Sequence, residues 1–124
     1  MRQVDFYTLI EKTVLPECLS IMKSKGDAYS GNTDKLGNFK RCASLADVPL
    51  QKAWFIYFVK HYDALCSYIK GGYNDSEPIE GRINDMINYL FILRAIIEEQ
   101  KNDKKEIETG GTSITYDKVQ NELR

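Results

Sequence analysis

Residues 76–100 read SEPIEGRINDMINYLFILRAIIEEQ, and this stretch decides the fold. Ser76 suits an N-cap, and Glu77 and Glu80 place negative charge where a helix dipole is positive. Glu77, Glu80, Asn84 and Asn88 follow steps of three and four residues, so they share one helical face, with Asp85 on its flank. Ile79, Ile83, Met86, Ile87 and Leu90 fall on the opposite side, the side expected to meet a core. Arg82 and Tyr89 lie between the two. From Tyr89 to Ile97 the segment is apolar nearly all round. The spacing predicts a helix from Glu77 to about Gln100.

Immediately upstream, Asp47 and Val48-Pro49 open a second long helical pattern, and Gly71-Gly72 closes it near Lys70. It contains AWFIYFV at 53–59, apolar in every direction, so it is expected to be buried on all sides. A domain of this size has little room to envelop two such helices. The sequence therefore predicts a homo-oligomer, with part of these surfaces meeting another copy; the alternative is that the hairpin and the N-terminal helix cover them.

Further out, Val4–Leu15 carries an apolar stripe at Phe6, Leu9, Ile10 and Val14. Pro16 interrupts it, a second helix or a kinked continuation runs from Pro16 to Lys25, and Gly26 is expected to end it. Residues 26–39, GDAYSGNTDKLGNF, read as an ordered loop, with a short helix over Leu36–Ala46. Beyond Gln100 a charged stretch leads into EIETGGTSITY at 106–116, where Gly110-Gly111 between β-prone runs signals a hairpin. The expected fold is mainly α: one small helical domain over 1–124, with two long core helices in 1–100 and a C-terminal β-hairpin in 101–124.

Composition narrows the function classes. The chain has 124 residues, 43% of them hydrophobic, enough to fill a core. Lys and Arg number 17 against 18 Asp and Glu, so a general DNA or RNA binder is not expected. Cys18, Cys42 and Cys66 fit neither a disulfide framework nor a zinc motif, and Cys18 and Cys66 sit in apolar helical patterns. A reducing, cytoplasmic setting follows. The N-terminus shows no secretory pattern, and the longest apolar run is too short for a bilayer.

The candidate site residues fall in four places. Asn84, Asp85 and Asn88, with Arg82 beside them, admit three readings: a solvated face, a Mg²⁺ site, or a face for ribose hydroxyls and base edges. Asn is a poor helix former, so paired Asn84 and Asn88 favour a role beyond solvation. Lys60 and His61, near Asp63, suit phosphate or a structural His–Asp contact; a lone histidine is a weak metal signal. No Gly-x-Ser-x-Gly elbow is present. In the loop, Tyr29 and Phe39 can stack on a base or simply anchor packing, and Asn38, Lys40 and Arg41 can meet polar groups or phosphate. In the tail, GGTSIT with Thr112 can wrap an anion or form an ordinary hairpin.

The segments KGDAYSGNTDKLGNF (25–39), KHYDAL (60–65) and SEPIEGRINDMINYLFIL (76–93) resemble small bacteriophage and prophage proteins grouped under a nucleotide-modification-associated domain. That group is distantly similar to the all-α nucleoside triphosphate pyrophosphohydrolases. The resemblance covers roughly residues 20–98, through Asp27-Ala28-Tyr29, Asn38-Phe39 and Asp85 to Asn88-Tyr89. Small phage proteins of this kind include Thoeris anti-defence sponges, which bind cyclic ADP-ribose-type signals. The resemblance implies binding of a nucleotide-derived small molecule in the host cytoplasm, without turnover. The enzyme alternative is a Mg²⁺-dependent pyrophosphohydrolase using Asp85 and Glu80, supplemented by Asp63 or Asp27. Against it, the long helix 49–70 has a single carboxylate, and Glu80 and Asp85 stand five residues apart. A third reading is a helical partner-binding protein with no small ligand.

Overall fold

The computed structural model describes residues 1–30 and 34–110, with side chains described for 1–25 and 34–107. Helices α1 (Gln3–Leu9) and α2 (Leu15–Ser30) join through one π turn at Ile10–Val14. Then come α3 (Gly37–Ala46), α4 (Leu50–Ile69) and α5 (Ile79–Gly110). No helix among the described residues is long and apolar enough to cross a membrane.

Pro16 does not break the first helix. It lacks an N–H, and its ring crowds the carbonyl four residues back. The π turn directly before it widens the ladder and absorbs that misfit. Nor does Gly26 end α2, which runs to Ser30, so the first part of the expected loop is helical. Asp47 is not the N-cap of α4. It adopts φ 55° and ends α3, while the Val48 amide donates to the Ala43 carbonyl at 3.0 Å. Pro49 then stands at the start of α4. Gly71, at φ 83°, closes α4 as the sequence indicates, with the Gly72 amide donating to the Ser67 carbonyl at 2.8 Å.

The core lies where α3, α4 and α5 meet. Leu36, Phe39, Ala43, Leu50, Ala53, Trp54 and Ile96 are buried together. Trp54 stacks on Phe58 at 4.8 Å, and its indole N–H donates to the Tyr89 carbonyl at 2.6 Å, giving this large ring the partner that its one polar atom needs. Lys40 ties α3 to α5 by reaching Glu99 at 2.6 Å and Asp34 at 2.9 Å. Burial pulls the Lys40 ammonium downward in pKa, and the hydrogen bonds to Glu99 and Asp34 outweigh it, so its pKa is raised overall.

Helix α5 turns its amide face inward, and the face expected to meet the core is divided: Ile79, Met86 and Ile87 are half-buried, Ile83 and Leu90 exposed. Asn84, Asp85 and Asn88 are buried, whereas Ile83, Leu90, Phe91 and Ile97 are exposed. Burial of this face is affordable because the amide donors and the Asp85 carboxylate find partners on α2 and α4. Asn88 Nδ2 donates to the Cys18 carbonyl at 2.9 Å, Asn84 Nδ2 donates to Glu17 Oε2 at 3.1 Å, and the Cys18 thiol lies 3.9 Å from the Asn84 carbonyl. Burial pushes the Cys18 thiol up in pKa, so it stays protonated inside this contact. Cys66, expected in the core, is only half-buried. Helix α4 likewise leaves Phe55, Ile56, Tyr62 and Ile69 exposed rather than enveloped.

The architecture is mainly α, with α4 and α5 as the two long helices. The expected C-terminal hairpin is not supported. Its first arm, 106–109, continues α5, because EIE and the lysines before it extend the helical ladder; the second arm, 112–116, lies outside the described residues.

Ile96 is fully buried, and Leu45 is 81% exposed. Ile96→Ala is expected to lower unfolding free energy in urea by roughly 2–5 kcal/mol. Leu45→Ala should stay within about 0.5 kcal/mol of the parent. Similar losses for both variants would show that the core is placed wrongly.

Candidate functional site

A cavity of about 580 Å³ opens between α2, α3, α4 and the start of α5. That volume suits a small ligand. On the α3 side it is lined by Lys35, Asn38 and Phe39, and on α4 by Tyr57, Lys60 and His61. Helix α5 adds Arg82, Asp85, Asn88 and Tyr89, Glu77 stands just before it, and Lys25 reaches in from α2.

Each position has a local cause. Tyr57, Lys60 and His61 stand three and four residues apart on α4, so they share a face. Arg82, Asp85 and Asn88 do the same on α5. The turn before α5 is fixed by the Tyr73 hydroxyl, which donates to the Glu77 carbonyl, and by the Glu77 amide, which donates to Asp75 Oδ1 at 3.2 Å. Asp75 in turn accepts from Arg82 Nη2, and this hydrogen bond holds the Asp75 carboxyl below its ordinary pKa. Arg82 Nε lies 3.4 Å from Glu77 Oε2, and Nη1 lies 3.4 Å from His61 Nδ1.

His61 joins this chain to Asp85. An arginine only donates, so this contact is a hydrogen bond when His61 Nδ1 is the unprotonated nitrogen. Asp85 Oδ2 stands 3.8 Å from the same Nδ1, while Oδ1 meets Lys25 Nζ at 3.3 Å. Burial lowers the pKa of His61, and the Asp85 charge opposes that without reversing it. The imidazole is therefore neutral at pH 7.

Four cations, Lys25, Lys35, Lys60 and Arg82, thus face the cavity against two carboxylates, Glu77 and Asp85. Lys60 has no ion-pair partner among the described residues. Aromatic rings form the apolar wall: Phe39 meets Tyr57 edge-on at 5.4 Å and Tyr89 at 6.2 Å, and Tyr89 lies 5.2 Å from His61. A cationic rim beside an aromatic wall fits a ligand that is anionic at one end and flat at the other. The described lining contains no Ser, Thr or Cys to act as a nucleophile.

The cavity brings together Asn38, Phe39, Lys60 and His61 with Arg82, Asp85 and Asn88. Two candidates stand elsewhere. Asn84 is bonded to Glu17 on the α2 side, and Arg41 points to solvent, donating to Asn38 Oδ1 at 2.6 Å. The Tyr29 side chain and Thr112 lie outside the described residues. Sequence reasoning missed Lys25, Lys35 and Tyr57. For Tyr57 a signal existed, its four-residue step to His61; the lysines required the tertiary fold.

No protein family, curated protein or solved structure matches this chain. What the site does must be read from its own groups, and His61 is the group whose state is simplest to test. A lowered folded-state pKa means that the unfolded chain binds the proton first. The His61 contribution to stability is complete above pH 6.5, the unfolded value, and is lost as pH falls through the lower folded value. The urea midpoint is expected to hold above pH 7 and to decline below about 6.5, with that portion of the decline absent in His61→Gln. Asp34 and Asp75 have lowered pKa values and unfolded values near 3.8, so their contributions fade only below that. An unchanged pH slope in the variant would contradict a buried neutral imidazole.

Proposed function

We propose that the cavity binds a phosphate-bearing, nucleotide-derived small molecule and holds it without turning it over. The observation that carries this reading is the meeting of Lys25, Lys35, Lys60 and Arg82 with the rings of Phe39, Tyr57 and Tyr89 around one cavity. The cations take the phosphates and a ring takes the base. In its biological form the protein is a phage-type sponge that sequesters a cyclic ADP-ribose-like or cyclic nucleotide signal and so counters host defence. The resemblance of residues 20–98 supports that form.

The enzyme alternative needs Mg²⁺ on a cluster of carboxylates. The described residues do not fit it. Glu77 and Asp85 are the cavity's carboxylates, and each already pairs with a cation, Arg82 and Lys25 respectively. Glu80 and Asp63 are exposed and do not line the cavity, and the Asp27 side chain lies outside the described residues. No group of three His, Cys, Asp or Glu side chains converges among the described residues.

Calorimetry with cyclic ADP-ribose, cyclic AMP and ATP tests the binding. Lys60→Glu should weaken any observed binding by about tenfold or more, as expected for a charge-assisted contact exchanged for repulsion. The ligand should be recovered unaltered after the protein is heat-denatured. Release of pyrophosphate from ATP, abolished in Asp85→Asn, would instead establish the hydrolase.

The exposed apolar arcs support self-association as well. Ile83, Leu90 and Ile97 repeat every seven residues along α5, the spacing of a helix–helix seam, and all three are exposed. Sedimentation at micromolar concentration should show a dimer or larger species, and Leu90→Glu should shift it toward monomer. A parent protein that sediments only as monomer removes this part of the proposal.

A further inference from the structure

Asn88 is 7% exposed, lines the cavity, and uses only half of its amide. Its Nδ2 faces the Cys18 carbonyl, which can only accept, so the orientation of the amide is fixed chemically. Oδ1 is thereby left as a buried acceptor with no hydrogen-bond partner. Arg82 Nε, also on the cavity wall, is buried without a hydrogen bond of good geometry, although Glu77 is near it. Buried polar atoms are nearly always satisfied, and an orphaned one costs about 1–3 kcal/mol. Two of the four such atoms among the described residues thus lie on the wall of the cavity; the other two, Gln51 Oε1 and Gln100 Nε2, belong to a pair of amides bonded to each other elsewhere.

Asp85, one helical turn before Asn88, presents a second acceptor to the same space. What fits two neighbouring acceptors is a group with two neighbouring donors. Adenine and cytosine edges do not qualify, because their exocyclic amine sits beside a ring nitrogen that accepts. Among the bases guanine offers two adjacent donors, N1–H and its 2-amino group, so a comparison of ribo with deoxy forms is what separates base from sugar. The usual asparagine–adenine pairing needs both the oxygen and the NH₂ of the amide. Here the NH₂ is committed to Cys18. A sugar cis-diol offers two adjacent hydroxyls and no competing lone pair in the wrong place. Carboxylates recognise ribose hydroxyls by the same chemistry.

We propose that Asp85 and Asn88 form a sugar subsite that selects ribonucleotides over deoxyribonucleotides. This rests on the nucleotide reading of the cavity. Met22 and Lys25, long unbranched side chains on α2, line the same region and can move aside for the sugar. The Lys25 head is already largely in solvent, so its contact with Asp85 yields to a hydroxyl at little cost.

Calorimetry on the full chain compares ATP, GTP, CTP and UTP with their 2′-deoxy counterparts. The nucleotide that binds best is expected to lose at least about tenfold in affinity when its 2′-hydroxyl is removed, as when any buried polar group is left unpaired. In Asn88→Ala the ribo and deoxy forms should bind within about threefold of each other. If the variant does not fold, the comparison on the parent protein decides alone. Equal parent affinities for ribo and deoxy forms, including a preference for guanine nucleotides in both series, would overturn the subsite and leave the nucleotide cavity standing. If cyclic ADP-ribose alone binds, the same comparison is made with its 2′-deoxy analogue. Absence of binding by cyclic ADP-ribose and by every nucleotide in both sugar series would overturn the cavity reading together with the subsite.

Discussion

The rotation of α5 about its own axis depends on a buried amide. Asn88 donates to the Cys18 carbonyl in the interior between α2 and α5, and Asn84 donates to Glu17 one turn earlier. Two asparagines in the middle of a helix are poor choices for propensity, and burying them unpaired would cost about 1–3 kcal/mol each. Bonded to α2, they become a register lock. Once α5 is held in that rotation, Asp85 must face His61 and Lys25, Tyr89 must turn its carbonyl to Trp54, and Ile83 and Leu90 must point outward. The cavity wall and the exposed apolar stripe are two results of one constraint.

How much of this the sequence discloses varies with how local the cause is. The two long helices, the glycine turn at Gly71 and the unusual character of Asn84 and Asn88 are all local signals, and they are legible. The rotation of α5 is not. Binary patterning assigns isoleucines to the interior and amides to the surface, and it cannot register that Cys18, some seventy residues earlier, supplies a carbonyl for Asn88. The same blindness made Asp47 resemble an N-cap. Its side chain suits that role, but its backbone sits in the left-handed region and stops α3 instead. At Pro16 the rule that proline breaks helices met a π turn that accommodates it. For the site, spacing along one helix found Lys60 with His61 and Arg82 with Asp85. Lys25 and Lys35 arrive from other elements and carry no pattern of their own.

The charge arrangement of the cavity gains meaning against a chain whose formal net charge is only -1. Near-neutrality overall leaves no diffuse basic surface to attract anions in general. Within the cavity, however, lysines and an arginine outnumber the carboxylates, and the one histidine is kept neutral by burial. Arg82 is the pivot. Asp75 and Glu77 fix its head, and it in turn reaches His61 Nδ1 at 3.4 Å. Such a group is preorganised: little side-chain freedom remains to be lost when an anion arrives.

Helical geometry then separates the site from the surface that invites a partner. At 3.6 residues per turn, each residue advances about 100° around the axis. Ile83, Leu90 and Ile97 fall within about 40° of one another, while Asp85, Asn88 and Ile92, which line the cavity, cluster about half a turn away. A second copy seated on the isoleucine and leucine stripe would cover apolar side chains and leave the cavity wall of α5 in place. Association of that kind would also hold α5 straight through the segment that carries the site, coupling the rigidity of the wall to assembly. The exposed stripe that patterning alone would count as a misfolded face is therefore compatible with an intact binding cavity in an oligomer, because the two use opposite sides of the same helix.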